Sequence, residues 1–429
     1  GGLAGCEAAY QVAKRGIKVN LYDMKPSKKS PAHHSDKLCE LVCSNSLKAA
    51  RKESAAGMLK EEMRMLDSLL MKCADKSKVP AGGALAVDRE IFSNLVNDEI
   101  NNNPNITVIN EEVTEIPDGV TIIASGPLTS DLLSDKIKTM FGDSLSFYDA
   151  AAPIVKFDTV DMNKAFFASR YDKGDGDDYI NCPMNKEEYD NFYEALVSAE
   201  RAPVHDFDVM NPKVYEGCMP IEVMAQRGHD TIRFGPMKPV GLKDPRTGHR
   251  PWAVVQLRKE NSAGIMYNLV GFQTNLKFPE QKRVFSMIPG LENAEFVRYG
   301  VMHRNTFIDS PRILNSDYSV RENKNLFFAG QITGVEGYME SASSGLMAGI
   351  NAAMRYIGEQ TVTLPEYTMI GSLSRYISDE TVSKFQPMGA NLGVLPELEQ
   401  RPRDKKERAK AYSDRSFAKL TEFINSRGL

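Results

Sequence analysis

Five residues at the start of the chain, Gly1, Gly2, Leu3, Ala4 and Gly5, are small or apolar, and a carboxylate follows at Asp23. A pyrophosphate held at a helix N-terminus needs such residues, because a Cβ would keep the anion away from the backbone N–H groups. An acid about 20 positions later supplies an acceptor for ribose hydroxyls where a second strand ends. The elements that would hold these groups are legible around them. Cys6 to Arg15 reads as a helix fed by the glycine turn, and Ile17 to Tyr22 as an alternating strand that stops at Asp23. Together they describe a dinucleotide-binding βαβ unit. Gly1 then takes a variable place in G-x-G-x-x-G, Gly2 and Gly5 are its second and third glycines, and a strand and the first glycine are expected ahead of Gly1.

With 429 residues, 42% hydrophobic and 26% charged, the chain has the composition of a soluble globular protein of two or three domains. A formal net charge of −4 gives no global case for nucleic-acid binding, so such a partner would need a local basic face. There is no run of about 18 apolar residues and no secretory pattern, which points to a cytoplasmic protein with no membrane partner. Six cysteines are scattered without any C-x-x-C, so reduced thiols and no metal site are expected.

Further along, Ser54 to Cys73 is a long helical-period stretch whose methionines read as core filling. Asp88 is a plausible N-cap for a helix reaching Asn101. Val120 to Ala124 reads as a strand closing on Ser125 and Gly126, where a chain returns past a nucleotide. From about Val155 the βαβ rhythm stops, and residues 157–295 read as an inserted α+β domain between a first part, 1–156, and a second part, 296–429. Leu326 to Ala329 is a short apolar strand ending at Gly330 and Gln331. After Gly334 comes a helix of small residues that would let backbone donors approach a flavin. The fold expected is a Rossmann-type FAD-binding α/β domain, glutathione-reductase-like, carrying the insert. Within the insert, Arg233, Lys238, Arg246 and Arg250 surround Phe234 and Trp252. That pattern suits an RNA backbone with stacked bases, and equally a solvated loop over a core tryptophan. The tail RPRDKKERAKAYSDR is a second basic stretch with the same two readings.

The stretches GGLAGCEAAYQVAKRG, LVCSNSLK, GGALAVDRE, ASGPLTS, YEGCMPIE, RFGPMKPVGL and FAGQITGVEGYMESASSGLMAGINA closely resemble the bacterial folate- and FAD-dependent tRNA (uracil-5-)-methyltransferases over nearly the whole chain. The resemblance implies that NADPH or NADH reduces FAD and that methylenetetrahydrofolate supplies a one-carbon unit. That unit passes through the flavin to C5 of a tRNA T-loop uridine. It also implies two functional cysteines, Cys43 and Cys218. C5 of uracil becomes nucleophilic once a thiolate adds to C6, and a base must later remove the C5 proton. Cys218 is assigned to the addition, and Cys43 to proton removal or protection of the flavin adduct, with the pair firmer than its order. Cys43 lies in a polar V-C-S-N-S loop and Cys218 between Gly217 and Pro220, both contexts that suit a reactive thiol. Cys6 and Cys73, on apolar helices, read as structural, and Cys182 is undecided.

On the resemblance, His303 reads as cover for a pterin ring, with Arg304 or Asn305 at its polar edge; without it, a structural histidine is the better reading. His33 and His34 read as surface residues. Two other functions share part of this pattern. One is the same chemistry on a ribosomal RNA uridine. The other is an NAD(P)H-dependent flavoprotein oxidoreductase, which would need a C-x-x-x-x-C pair or a second G-x-G-x-x-G that the sequence lacks.

Overall fold

Two parallel strand pairs carry the nucleotide-binding elements. Val19–Tyr22 pairs with Ile106–Ile109, and Leu326–Phe328 with Thr121–Ile123. The structure, a computed structural model, describes residues 1–30, 32–142, 145–172, 176–203 and 219–428. Between the two pairs runs a groove of 520 Å³ whose walls include Val19, Leu21, Thr121, Ile123, Ala8 and Val12.

The opening helix, Leu3–Ala13, buries a face of alanine, glycine and cysteine. The long helix Tyr338–Tyr356 lies against it. An ideal Cβ at Gly345 would stand 2.2 Å from the Ala4 carbonyl oxygen, and one at Gly349 2.6 Å from that of Ala8. Glycines four apart share a helix face, so the two helices meet backbone to backbone. Both belong to one apolar core that reaches from Ala4 to Leu420.

The methionine-rich stretch does not form one helix. It divides into Ala55–Met65 and Leu69–Lys76, with Asp67 at φ +60° between them. The cause is remote in sequence. Glu7, buried on the opening helix, accepts from Leu69 N (3.2 Å), Leu70 N (2.9 Å) and Ser68 Oγ (2.7 Å), so the second helix begins where its free donors find a carboxylate. Asp88 caps Arg89–Asn101 as the sequence predicts, accepting from Glu90 N and Ile91 N.

A second sheet has six antiparallel strands in the order Phe296–Arg298, Ile154–Lys156, Met266–Leu269, Ala253–Lys259, Tyr179–Met184 and Phe166–Phe167. One face, with Val155, Ile180, Leu257 and Leu269, forms a separate core with Tyr189, Phe192 and Phe285 from two covering helices. On the other face, register aligns Tyr179, Arg258, Asn268, Ile154 and Arg298 in one row. Residues directly opposite each other share a face. This polar face packs on the segment holding Ser44 and Asn45 and on the turn at Ala81, with Arg258 donating to Asn45 Oδ1 and Ser44 Oγ and Tyr179 Oη to Ala81 O at 2.9 Å.

Candidate functional site

The carboxyl ends of the parallel strands converge on a cleft of 230 Å³, lined among others by Gly1, Gly2, Leu3, Ala4, Asp23 and Gly126. Gly330, Gln331 and Tyr338 close its other side. The opening helix has Gly2 at its N-cap and no side-chain cap. An ideal Cβ on Gly2 meets nothing within 4 Å, and the same holds at Gly126, φ +75°. The first-turn N–H groups therefore face free space in front of residues that put no side chain there. Gly1 has its own reason, since a Cβ there would stand 2.1 Å from Asp23 Oδ2. Asp23 Oδ1 accepts from Lys25 N at 2.9 Å, which fixes the carboxylate at the strand end. An uncapped helix N-terminus, glycines without obstruction and a carboxylate at the second strand's end fit a dinucleotide such as FAD.

Beyond Tyr338 stands Cys43. Tyr338 Oη accepts from Cys43 N at 2.9 Å and from Ser44 N at 3.3 Å, and lies 2.9 Å from Cys43 Sγ. With both lone pairs taken by N–H groups, the phenol's own proton is directed to the sulfur. Burial and the neighbouring Cys43 push the Tyr338 pKa far up, so it stays a donor. A hydrogen bond donated to sulfur favours the thiolate.

Arginines surround this corner. Arg258 Nε donates to Asn45 Oδ1 at 3.0 Å and its Nη2 to Ser44 Oγ at 2.9 Å, holding the residues that follow Cys43. Burial lowers its pKa. Arg89 lies 2.7 Å from Glu260 and donates to Leu41 O at 2.5 Å. Burial alone would lower the Arg89 pKa, and Glu260 together with Tyr338 and Cys43 raises it overall. Arg298 is the third; burial, then Arg89, lowers its pKa.

The other expected residues fall in several places. Gly334, φ +81°, is absent from the cleft wall; a Cβ there would stand 2.4 Å from the Phe385 ring, so its smallness serves packing. A Cβ at Gly5 would meet Ala124 and Leu21 at ordinary contact distance, between helix and strands. His33, read from sequence as a surface residue, lines the cleft, held by Ser30 Oγ at 2.6 Å. Arg233 stacks on Trp252 at 3.8 Å and donates to its carbonyl, so that arginine is committed to packing. Arg246 pairs with Asp244 at 2.7 Å, whereas Lys238 and Arg250 are exposed. His303 and Arg304 are on the strand Met302–Phe307, paired with Leu145–Ala150. Cys218 lies outside the described residues. Cys73 and Cys182 are buried, and burial pushes both thiols up to about 12, which leaves them inert at neutral pH.

Tyr338, Arg89, Arg258 and Arg298 were not singled out from sequence. Tyr338 is 295 positions from Cys43, and only the packing of the glycine turn before its helix brings them together.

The family model for glucose inhibited division protein A, GidA, matches residues 1–360. A protein of Acetivibrio thermocellus named methylenetetrahydrofolate--tRNA-(uracil-5-)-methyltransferase TrmFO is 61% identical over 426 residues, 99% of this chain and 97% of its own length. The chain belongs to this family. Relatives with the same name from Bacillus pumilus and Lysinibacillus sphaericus are 60% and 57% identical over 99% of the chain. Among solved structures, Aquifex aeolicus GidA in its form II crystal superposes with a TM-score of 0.71 at 17% identity, covering 99% of this chain and 72% of that one. That likeness shows that the two chains share a fold. Of this chain's glycines, Gly1, Gly2, Gly126 and Gly330 line the cleft, and its LVCSNSL segment is the loop that Tyr338 and Arg258 hold.

Proposed function

We propose that this chain forms 5-methyluridine in the T-loop of tRNA, using methylenetetrahydrofolate as one-carbon donor and NADPH or NADH as reductant, in the cytoplasm. The observation that carries the reading is 61% identity across 99% of the chain to a relative named for this reaction. Bound FAD supplies the redox chemistry that carries the one-carbon unit to uracil C5. Gly2 and the first turn of the opening helix bind the pyrophosphate, and Asp23 accepts from the adenosine ribose. Gly126, Gly330 and Gln331 border the rest of the dinucleotide. Cys218 adds to uracil C6 as a thiolate, and Cys43, kept poised by the Tyr338 hydroxyl, removes the C5 proton. His303 and Arg304 are assigned to folate, and exposed Lys238 and Arg250 to the tRNA backbone. Residues 1–156 and 296–429 form the flavin domain in this reading, and 157–295 the RNA-facing insert.

The test is direct. Holoprotein is incubated with unmodified tRNA, NADPH and methylenetetrahydrofolate labelled in its one-carbon unit. Label is expected in the T-loop, abolished in Cys43→Ala and Cys218→Ala, and absent when S-adenosylmethionine replaces folate. A protein whose flavin is reduced but which labels no tRNA refutes the reading; label in ribosomal RNA instead would move the target.

A further inference from the structure

We propose that Arg298 binds the acceptor uracil at O4 and takes up the negative charge that forms there when a thiolate adds to C6. The proposal rests on the methyltransferase reading and deepens it by naming the group that recognises the base.

The sheet aims Arg298 at this corner. In a regular strand, residues two apart share a face, so Arg298 would follow Phe296 into the apolar core. The register slips between them: Phe296 pairs with Val155, whereas Arg298 pairs with Ile154. Val155 belongs to the core and Ile154 to the opposite, polar row, so the irregularity turns Arg298 toward the loop that carries Cys43. Such bulges re-aim side chains and are common beside active sites.

The guanidinium has nothing to hold on to there. Arg298 Nη2 is buried without a hydrogen-bond partner, and among the described residues the side chain forms no ion pair. Arg89, Tyr338, Glu40 and Cys43 are the ionisable groups whose fields reach it. The two charged members of that set are occupied. Glu40 accepts from His34 N and Ser35 N, and Arg89 is paired with Glu260. Among the described residues, Arg298 is therefore an uncommitted cation beside Cys43. A buried cation without an anion costs free energy, and the cost is recovered when an acceptor arrives with a ligand.

Position selects the ligand. Tyr338 lines the dinucleotide cleft and touches Cys43 from that side, whereas Arg298 does not line the cleft. The acceptor for Arg298 belongs to a molecule that meets Cys43 from the sheet side. In the proposed reaction that molecule is the base. As the thiolate lone pair forms the S–C6 bond, the C5=C6 π pair moves through C4 onto O4, and the Arg298 N–H donates to that oxygen as its charge grows. Solvent then protonates C5. Loss of the other C5 hydrogen to a base and expulsion of the thiolate restore uracil, so C5 hydrogen exchanges with water without folate or reductant.

The experiment follows from that exchange. Holoenzyme is mixed with tRNA tritiated at C5 of the T-loop uridine, without folate or NADPH, and tritium release is timed. Arg298→Met is expected to slow release about 10²–10³-fold, the usual loss for one oxyanion donor, with wild-type flavin content and flavin reduction by NADPH. Arg298→Lys should recover about tenfold or more of that loss, because an ammonium still donates a charge-assisted bond. Arg298→Met releasing tritium at the wild-type rate overturns the proposal. So does exchange left intact while KM for folate rises, or exchange left intact while flavin reduction slows. If Arg298→Met loses its flavin, Arg298→Lys decides, a lowered rate at unchanged KM for tRNA supporting the proposal and an unchanged rate overturning it. A wild type that neither releases tritium nor transfers label sinks the methyltransferase reading as well.

Discussion

Gly345→Ala would put a Cβ 2.2 Å from the Ala4 carbonyl oxygen and 2.7 Å from its Cα. Ordinary contact begins near 3.4 Å, so the two helices must part by about 1.2 Å, the difference between 3.4 and 2.2. Overpacking of this kind costs about 1–3 kcal/mol. The displacement falls on the first turn of the opening helix, whose N–H groups face the cleft. Losing one charge-assisted hydrogen bond to the pyrophosphate, about 1.5–3 kcal/mol, raises the flavin Kd roughly 10- to 100-fold. Gly349→Ala strains the same interface one turn away, at 2.6 Å from Ala8 O. It should lower the melting temperature while changing flavin Kd by no more than about threefold. Fluorescence titration of flavin into apoprotein, with thermal melts of both variants, reads the two effects apart. Wild-type Kd and melting temperature in Gly345→Ala would refute the backbone-to-backbone packing argument.

Further outcomes follow from the site and core. Tyr338→Phe leaves Cys43 N–H and Ser44 N–H without their acceptor and removes the donor to Cys43 Sγ; Cys43 alkylation at pH 7.5 should slow about tenfold as its thiolate loses support, and an unchanged rate would show that the phenol does not tune the sulfur. Asp23→Ala should weaken FAD by about 1.5–3 kcal/mol, measured by equilibrium dialysis, with FMN binding unaffected because FMN lacks the adenosine ribose. Glu62 is fully buried and accepts from Met369 N, Ile370 N and Ser416 Oγ, and burial raises its pKa to about 7. A carboxyl raised in the folded state contributes most below the unfolded value, and that contribution falls as pH rises through about 7. Between pH 5.5 and 8 the stability of wild type relative to Glu62→Gln should therefore drop by about 2 kcal/mol in urea melts; a difference that grows with pH contradicts the burial argument.

Local chemistry made much of this protein legible from its sequence. The glycine turn, the helix after it and Asp23 at a strand's end are set by backbone sterics and spacing within 23 residues, and the structure brings them to one cleft. Asp88 marks a helix start for the same reason, since a cap acts over three residues. Residues between Val155 and Ala294 build a second apolar core of their own. Short-range signals fail where partners are remote. Periodicity ran through Asp67: Ser68 caps the next helix locally, accepting from Met71 N, but the carboxylate that takes Leu69 N and Leu70 N comes from Glu7, far away in sequence.

The amino-acid sequence alone determined the family, because its motifs rest on residue identity at short spacing; the same spacing pointed to the glycine turn, and the resemblance to Cys43. Only the tertiary structure decided that Tyr338 addresses that cysteine and that Gly345 must be small for the flavin loop to sit where it does. It also decided that a one-residue slip in an edge strand turns Arg298 out of the core. The physical reason is common to all three. Each depends on two backbones or side chains brought within a few ångströms after separation by more than a hundred positions, a distance fixed by packing and strand register and carried by no local motif.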